Sequence, residues 1–193
     1  METQKRNSFL LTPFSHPWMP MVLFIPLSAL ITSLSLYFVP HSIFSTVGWI
    51  LIGIFSWTLI EYLLHRHLFH LTQVKEPWKS LASGLHMAHH RDVDDKYLIL
   101  APPLVSLIFG SFIYLLFAGL TQSFALAALM ETGVFMGYIA YEWCHYAAHE
   151  YPVTTGIQKY LKAYHLQHHF KCPTKAFGVT SPLWDIIFKT RPE

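Results

Sequence analysis

The sequence predicts an all-α integral membrane protein, with four transmembrane helices and a small helical cap at one end. Three observations predict it. Apolar residues make up 53% of the chain and charged residues only 12%, about half the share typical of a soluble domain. Four runs are long and apolar enough to cross a bilayer, for which about 20 residues are needed. All 13 lysines and arginines fall on one side of the layout those runs define.

The N-terminal stretch carries Lys5 and Arg6 but no long apolar region ending in a small-residue cleavage site. No removable signal peptide is read there, and the first apolar run is expected to remain as an anchor. The spans are expected at Met21–Val39, Ile43–Leu64, Leu98–Gly119 and Ser123–Tyr141. Pro40 and "GLTQS" at 119–123 make two short connections, so the spans form two hairpins joined by 65–97. No repeat at a fixed period appears, and the expectation is one membrane domain over 1–193. Lys5, Arg6, Arg66, Lys75, Lys79, Arg91 and Lys96 lie on the side away from the short turns, as do Lys159, Lys162, Lys171, Lys175, Lys189 and Arg191. The positive-inside rule then puts both termini and the middle connection in the cytosol. A soluble helical bundle would scatter these charges over both ends. A net charge of +2, with no basic cluster interleaved with aromatics, excludes a nucleic-acid partner. Cys144 and Cys172 form no spaced framework and give no sign of an oxidising compartment.

Thirteen histidines are the anomaly. His16 and His41 stand alone and read as structural. Ten others form four groups at the cytosolic span ends: His65 and His70; His86, His89 and His90; His145 and His149; His165, His168 and His169. On a helix, positions i, i+3 and i+4 cover about 100° of one face, so each triplet can aim its rings at a common point. His145 and His149 do the same at i and i+4. Neutral imidazole is the commonest protein metal ligand, and ten of them divide into two sites of about five. No cysteine box competes, and too few carboxylates lie near for a site of two histidines and a carboxylate. Iron with open positions suits oxygen chemistry on a hydrocarbon; zinc competes, because it binds imidazole more tightly than ferrous iron does. A metal transporter would hold its ligands near the midplane, where none of the ten lies. At the end of span two, spacing points elsewhere. His65 and His70 are about 140° apart on an α-helix, whereas His67 and His70 share a face, so periodicity prefers His67 unless the helix ends there.

The motifs "EYLLHRHLFH" at 61–70, "LHMAHH" at 85–90, "YEWCHYAAH" at 141–149 and "LKAYHLQHHFKCPTKAFGVTSPLWDIIFKT" at 161–190 occur in that order. Over about residues 57–191 the chain resembles the fatty acid hydroxylase superfamily, most of all its sphingolipid fatty acid 2-hydroxylases. The resemblance implies a four-span enzyme with a cytosolic histidine-held di-metal centre. It implies that O₂ and two electrons place a hydroxyl on C2 of a long acyl chain, with iron as the working metal and zinc as an occupant after purification. The ligand positions it implies are His65, His70, His86, His89, His90, His145, His149, His165, His168 and His169, without His67. Many eukaryotic relatives carry a fused haem-binding cytochrome domain, for which this chain has no room. Electrons would therefore come from a separate cytochrome- or ferredoxin-type partner. In "RDVDDKYLILAPP", Val93 and Leu98 stand where the family usually has proline and arginine, which bears on headgroup preference. Sterol desaturases, methyl oxidases and carotenoid ring hydroxylases share the histidine scheme, so the narrower reading rests on "EYLLHRHLFH" and the tail. The membrane would be the cytoplasmic one in a bacterium and the endoplasmic reticulum in a eukaryote.

Glu61 and Glu142 can each orient a histidine by accepting its second N–H, or serve as interfacial carboxylates. Glu131 lies mid-span, where an ionisable group is costly and faces the bundle interior. Asp185 either ties the tail to the histidines or opens a helix after Pro182. The six tryptophans read as interfacial or packing residues.

Overall fold

A computed structural model describes residues 16, 18–70 and 86–192. Every regular element among them is helical: α1 (Met19–Phe38), α2 (Ile43–Leu63) continuing into a π-helical turn (Leu64–Phe69), α3 (Ala88–Arg91), α4 (Pro103–Thr121), α5 (Phe124–Glu150), α6 (Gly156–Phe170) and α7 (Leu183–Ile187). Four are long and apolar enough to span a membrane: α1, α2 with its π turn, α4 and α5. The protein is thus a multi-pass membrane protein.

Local chemistry sets the span ends. The Ser42 hydroxyl caps α2 by accepting the Ser45 N–H at 3.2 Å, and Ser123 caps α5 by accepting that of Leu126 at 3.3 Å. Gln122, in the left-handed region at φ 52°, ends α4. Two boundaries differ from the expected ones. The third span starts at Pro103, not Leu98, because Pro102 and Pro103 suit a helix start and disfavour helix before them. Ile99 and Leu100 therefore bury in a loop. The fourth span continues nine residues beyond Tyr141, to Glu150. Its sequence turns more polar there but contains no glycine or proline, so hydropathy ends while the helix does not.

α5 is the central helix, buried along most of its length, and α1, α2, α4 and α6 all pack on it. The closest approach is to α2. A Cβ at Gly53 would lie 2.0 Å from the Met130 carbonyl oxygen, and one at Gly133 would lie 2.1 Å from that of Ile50. Paired glycines let two backbones touch where hydrocarbon provides no hydrophobic drive between helices. Hydroxyls join α1 to α5: Thr32 and Thr132 pair at 2.8 Å, and Ser35 donates to the Ala125 carbonyl at 2.8 Å. Large side chains such as Tyr37, Phe44, Phe112 and Leu120 point outward as a lipid-facing surface should. The alternating spans leave the 39–42 and 122–123 connections at one end. The described basic residues all lie in segments at the other end; Lys5, Arg6, Lys75 and Lys79 fall outside the described residues.

Candidate metal centre

The ten histidines converge at the capped end as two groups of five. One holds His65, His70, His86, His90 and His168; the other holds His89, His145, His149, His165 and His169. Within each group one ring nitrogen per residue lies within 4.8 Å of the rest. An ion with Fe–N or Zn–N bonds of about 2.0–2.1 Å needs donors no more than about 4.2 Å apart, so each group closes on one ion with small adjustments.

Neither triplet aims at one point, contrary to the simplest reading of its spacing. Each divides two and one: His86 and His90 face one group and His89 the other, while His165 and His169 face the second group and His168 the first. Positions four apart share a face, and the third ring turns to the neighbouring group. The groups consequently interlock, with the His90 and His169 rings stacked at 4.1 Å and 14°.

The π turn resolves the spacing at the end of span two. With i→i+5 hydrogen bonding each turn takes in an extra residue, so positions five apart come round to one face. His65 and His70 meet in the first group, their ring centres 5.1 Å apart, and His67 is exposed. Periodicity's preference for His67 assumed an α-helix that does not continue here.

Burial is the largest influence on these rings. It pushes His70 and His168 down to about 4, His89 to about 3, and His90 and His169 to about 2. His86 and His165 also lie well below the ordinary range, with neighbouring imidazoles adding to burial. The rings are therefore neutral at pH 7, the form that binds a cation.

The tail supplies what the sequence did not reveal. After α6 the chain doubles back, and Ala176, fully buried, adopts φ 59°, a region costing about 1–2 kcal/mol for a non-glycine residue. The carbonyls on either side of it turn to the first group. Phe177 O accepts the Nδ1–H of His65 at 2.6 Å, and Lys175 O accepts that of His168 at 2.7 Å. Each neutral ring then presents an unprotonated Nε2 to the centre.

Two carboxylates hold this loop. Asp185, fully buried, accepts the N–H groups of Phe177 at 3.0 Å and Gly178 at 2.8 Å, and the Thr190 hydroxyl at 2.7 Å. It ties the tail to the histidines, the first of its two sequence readings. Glu61 accepts from the backbone N–H groups of Val179 and Thr180 and from the Thr180 hydroxyl. It is neither an interfacial carboxylate nor an imidazole's partner, but positions His65 through the loop. Glu142 accepts the Ala101 N–H at 3.2 Å, anchoring the loop before α4. Trp184 fits its packing role, donating to Thr58 at 2.9 Å.

The donor set itself tests the fit of a cation. His86 Nε2 lies 3.0 Å from both His65 Nε2 and His90 Nε2, and His168 Nε2 lies 3.0 Å from His70 Nε2. One proton on His86 can serve only one neighbour. In the second group His149 Nε2 faces His89 at 3.1 Å and His165 at 2.9 Å. Both buried ring nitrogens of His145 and of His169 have no partner among the described residues. Converging lone pairs without protons to share suit a di-metal centre, and all-imidazole coordination suits iron or zinc.

The family model described as "Fatty acid hydroxylase" matches residues 50–190. The chain belongs to the fatty acid hydroxylase family. Within that family it is 38% identical over 144 residues to "Dihydroceramide fatty acyl 2-hydroxylase FAH1" of Arabidopsis thaliana, covering 74% of this chain and 60% of that one. To the human "Fatty acid 2-hydroxylase" it is 33% identical over 190 residues, covering 90% of this chain and 50% of the relative. The structure titled "Full length scs7p (only hydroxylase domain visible)" superposes with a TM-score of 0.83 at 32% identity, over 95% of this chain and 69% of that one. The chain thus spans about half to two thirds of these hydroxylase relatives.

A cavity opens from the first histidine group into the membrane domain. Its polar end is formed by His86, Glu61, Tyr141 and Glu142, and below them Phe24, Phe109, Val134 and Phe135 make apolar walls. The polar end falls within the quoted motifs, but no motif marked the apolar walls, whose residues come from several separate helices.

Proposed function

We propose that this chain is a membrane-bound, non-haem di-iron oxygenase that hydroxylates C2 of a long-chain fatty acyl group, free or within a ceramide or sphingolipid. The observation that carries the reading is the position of His86, which belongs to the first histidine group and also walls the intramembrane cavity. The names of the relatives, a dihydroceramide fatty acyl 2-hydroxylase, a fatty acid 2-hydroxylase and a ceramide very long chain fatty acid hydroxylase, support the same acyl substrate.

In this reading the ten grouped histidines are the ligands. Iron is the working metal, and zinc fills the site when the protein is purified without iron. When bound, the metals supply the activation of O₂, with two electrons from a separate cytochrome- or ferredoxin-type partner, and the oxidation of the C2–H bond. The chain's own residues determine which carbon reacts. The apolar walls strip water from an acyl chain and hold it lengthwise, with its carbonyl end toward Glu142, Tyr141 and His86. The carbons next to that carbonyl are then the ones nearest the histidines. His65 and His168, fixed by the tail carbonyls, keep their Nε2 atoms directed at the centre. The clustered basic residues support a cytosolic face for this centre. The chain acts as a single membrane domain over 1–193.

Membranes containing the protein, given iron, O₂ and an electron donor, should accumulate 2-hydroxy acyl lipids, identified by mass spectrometry after acid methanolysis. His168→Ala should abolish them while the protein stays in the membrane. A new double bond or an oxidised sterol, without 2-hydroxy acid, would overturn the assignment.

A further inference from the structure

The C-terminal tail does not stay above the membrane domain. Once Val179 and Thr180 have donated their N–H groups to Glu61, the chain turns down along the side of α2 that carries Phe55. The Trp184 indole N–H donates to the Thr58 hydroxyl at 2.9 Å, and its ring lies 6.0 Å from that of Phe55. The chain then climbs again. Phe188 stacks on Tyr62 at 5.3 Å, and the Thr190 and Tyr62 hydroxyls pair at 3.0 Å. Residues 181–188 are thus an excursion that descends and returns beside α2.

Counting along α2 gives its depth. The helix starts at Ile43, beside the short 39–42 connection. A hydrocarbon layer of about 30 Å covers about 20 residues at about 1.5 Å each, so its boundary falls near Tyr62. Trp184, beside Thr58 and Phe55, then sits about 6 to 10 Å inside that boundary.

The surface of the excursion suits this depth. Leu183, Ile186, Ile187 and Phe188 are exposed, and they continue the outward apolar surface of α2 at Leu51, Ile52 and Phe55. Contiguous apolar surface of this kind marks a covered face, and its continuity with a lipid-facing span identifies the cover as lipid. The one acid of α7, Asp185, is fully buried. Lys189 and Arg191 are exposed, but they come only where the chain is back beside Tyr62, within reach of the headgroups.

The backbone is suited as well. Hydrocarbon offers N–H groups no partner, so irregular backbone at that depth must be satisfied by protein. Asp185 accepts the N–H groups of Phe177 and Gly178, Glu61 those of Val179 and Thr180, and the Ser181 hydroxyl that of Leu183. Carbonyls of the tail accept those of Ala176, Ile186, Phe188, Lys189 and Thr190.

We propose that residues 181–188 are a re-entrant element immersed in the leaflet on the histidine side, and that their contact with lipid acyl chains holds the first histidine group in place. Lipid fixes α7, α7 carries Asp185, and Asp185 holds the loop whose carbonyls orient His65 and His168. This follows from the multi-pass fold and does not depend on the reaction proposed above.

The test is photolabelling of the full chain in phosphatidylcholine bilayers, with the labelled residues mapped by mass spectrometry. A phospholipid with a diazirine in mid-chain should mark residues among 183–188 as well as Phe112 on the outer face of α4. It should leave Tyr151 unmarked, about 10 Å outside the hydrocarbon at the end of α5. A headgroup diazirine should mark the tail around Lys189 and Arg191 instead. Ile187→Glu should lose the mid-chain label on the tail, and after a mild chelator wash it should hold one metal ion per chain against two for Ile187→Phe. Ile187→Ser, which reaches the membrane more readily than the glutamate, should show the same changes on a smaller scale. The proposal is overturned if the mid-chain probe marks Phe112 but none of 183–188, which would mean that protein covers α7. It is equally overturned if both polar variants keep the label or both ions, or if they lose the two ions together.

Discussion

Replacing Asp185 by alanine should empty one metal position and spare the other. The carboxylate accepts from the buried N–H groups of Phe177 and Gly178 and from the Thr190 hydroxyl. Its removal leaves two N–H donors in a dry loop, at about 1–3 kcal/mol each. The loop then gives up geometry to recover solvation. Its carbonyls at Phe177 and Lys175 orient His65 and His168, both in the first group. Losing the outer partner of a ligating histidine typically lowers metal affinity about 10- to 100-fold, or about 1.4–2.7 kcal/mol each. If both rings turn, the first site weakens by about 10²- to 10⁴-fold. None of the second group bonds to this loop among the described residues, so that site should be unaffected. Metal analysis after a mild chelator wash should count two ions per chain in the parent and one in Asp185→Ala, with helicity unchanged by circular dichroism. Asp185→Asn, which keeps one acceptor, should fall between. Loss of both ions together, or retention of both, would refute the idea that the tail supports one site selectively.

Other outcomes follow from the same geometry. His67→Ala should retain both metals and His65→Ala should lose at least one; the reverse would mean that the π turn is not the native winding. Metal-free protein should lose stability as pH falls. His70, His168 and His89 are held at about 4, about 4 and about 3 in the folded chain, against an ordinary 6.5. Between 6.5 and about 4 the unfolded chain takes up protons that the folded chain refuses, so stability rises with pH across that window; an unfolding temperature that stays flat from about pH 7.5 to about pH 5 would contradict this. Gly133→Val places a side chain on the Ile50 carbonyl, which backbone cannot yield, so α2 and α5 should separate and metal content should fall at both sites; normal loading would argue against the close crossing. Lys175→Cys and Lys79→Cys, the latter outside the described residues, should react with an impermeant thiol reagent from the cytosolic side only, and labelling from the opposite side would reverse the orientation.

Much of this architecture is legible in the chain because it depends on local, additive properties. Span positions follow from runs of apolar side chains, and the first two helices begin and end within two residues of the expected bounds. The gathering of ten imidazoles at one end follows from their places just inside or beyond span ends. Where the reading missed, the deciding forces act over long separations. Hydropathy cannot see that α5 continues to Glu150, because a helix persists on backbone hydrogen bonds after its apolar run stops. An α-helical period cannot rank His65 against His67, because one π turn, sustained by packing rather than local preference, rotates everything after it. The two-and-one division of each triplet depends on which neighbours stand opposite. Asp185 holds Phe177, whose own carbonyl meets His65, and Glu61 holds Val179 and Thr180 of the same loop across more than a hundred residues. A sequence identifies side chains able to bind a metal; the backbone carbonyls that fix their tautomers carry no side-chain signature, so only the folded chain brings them to the site.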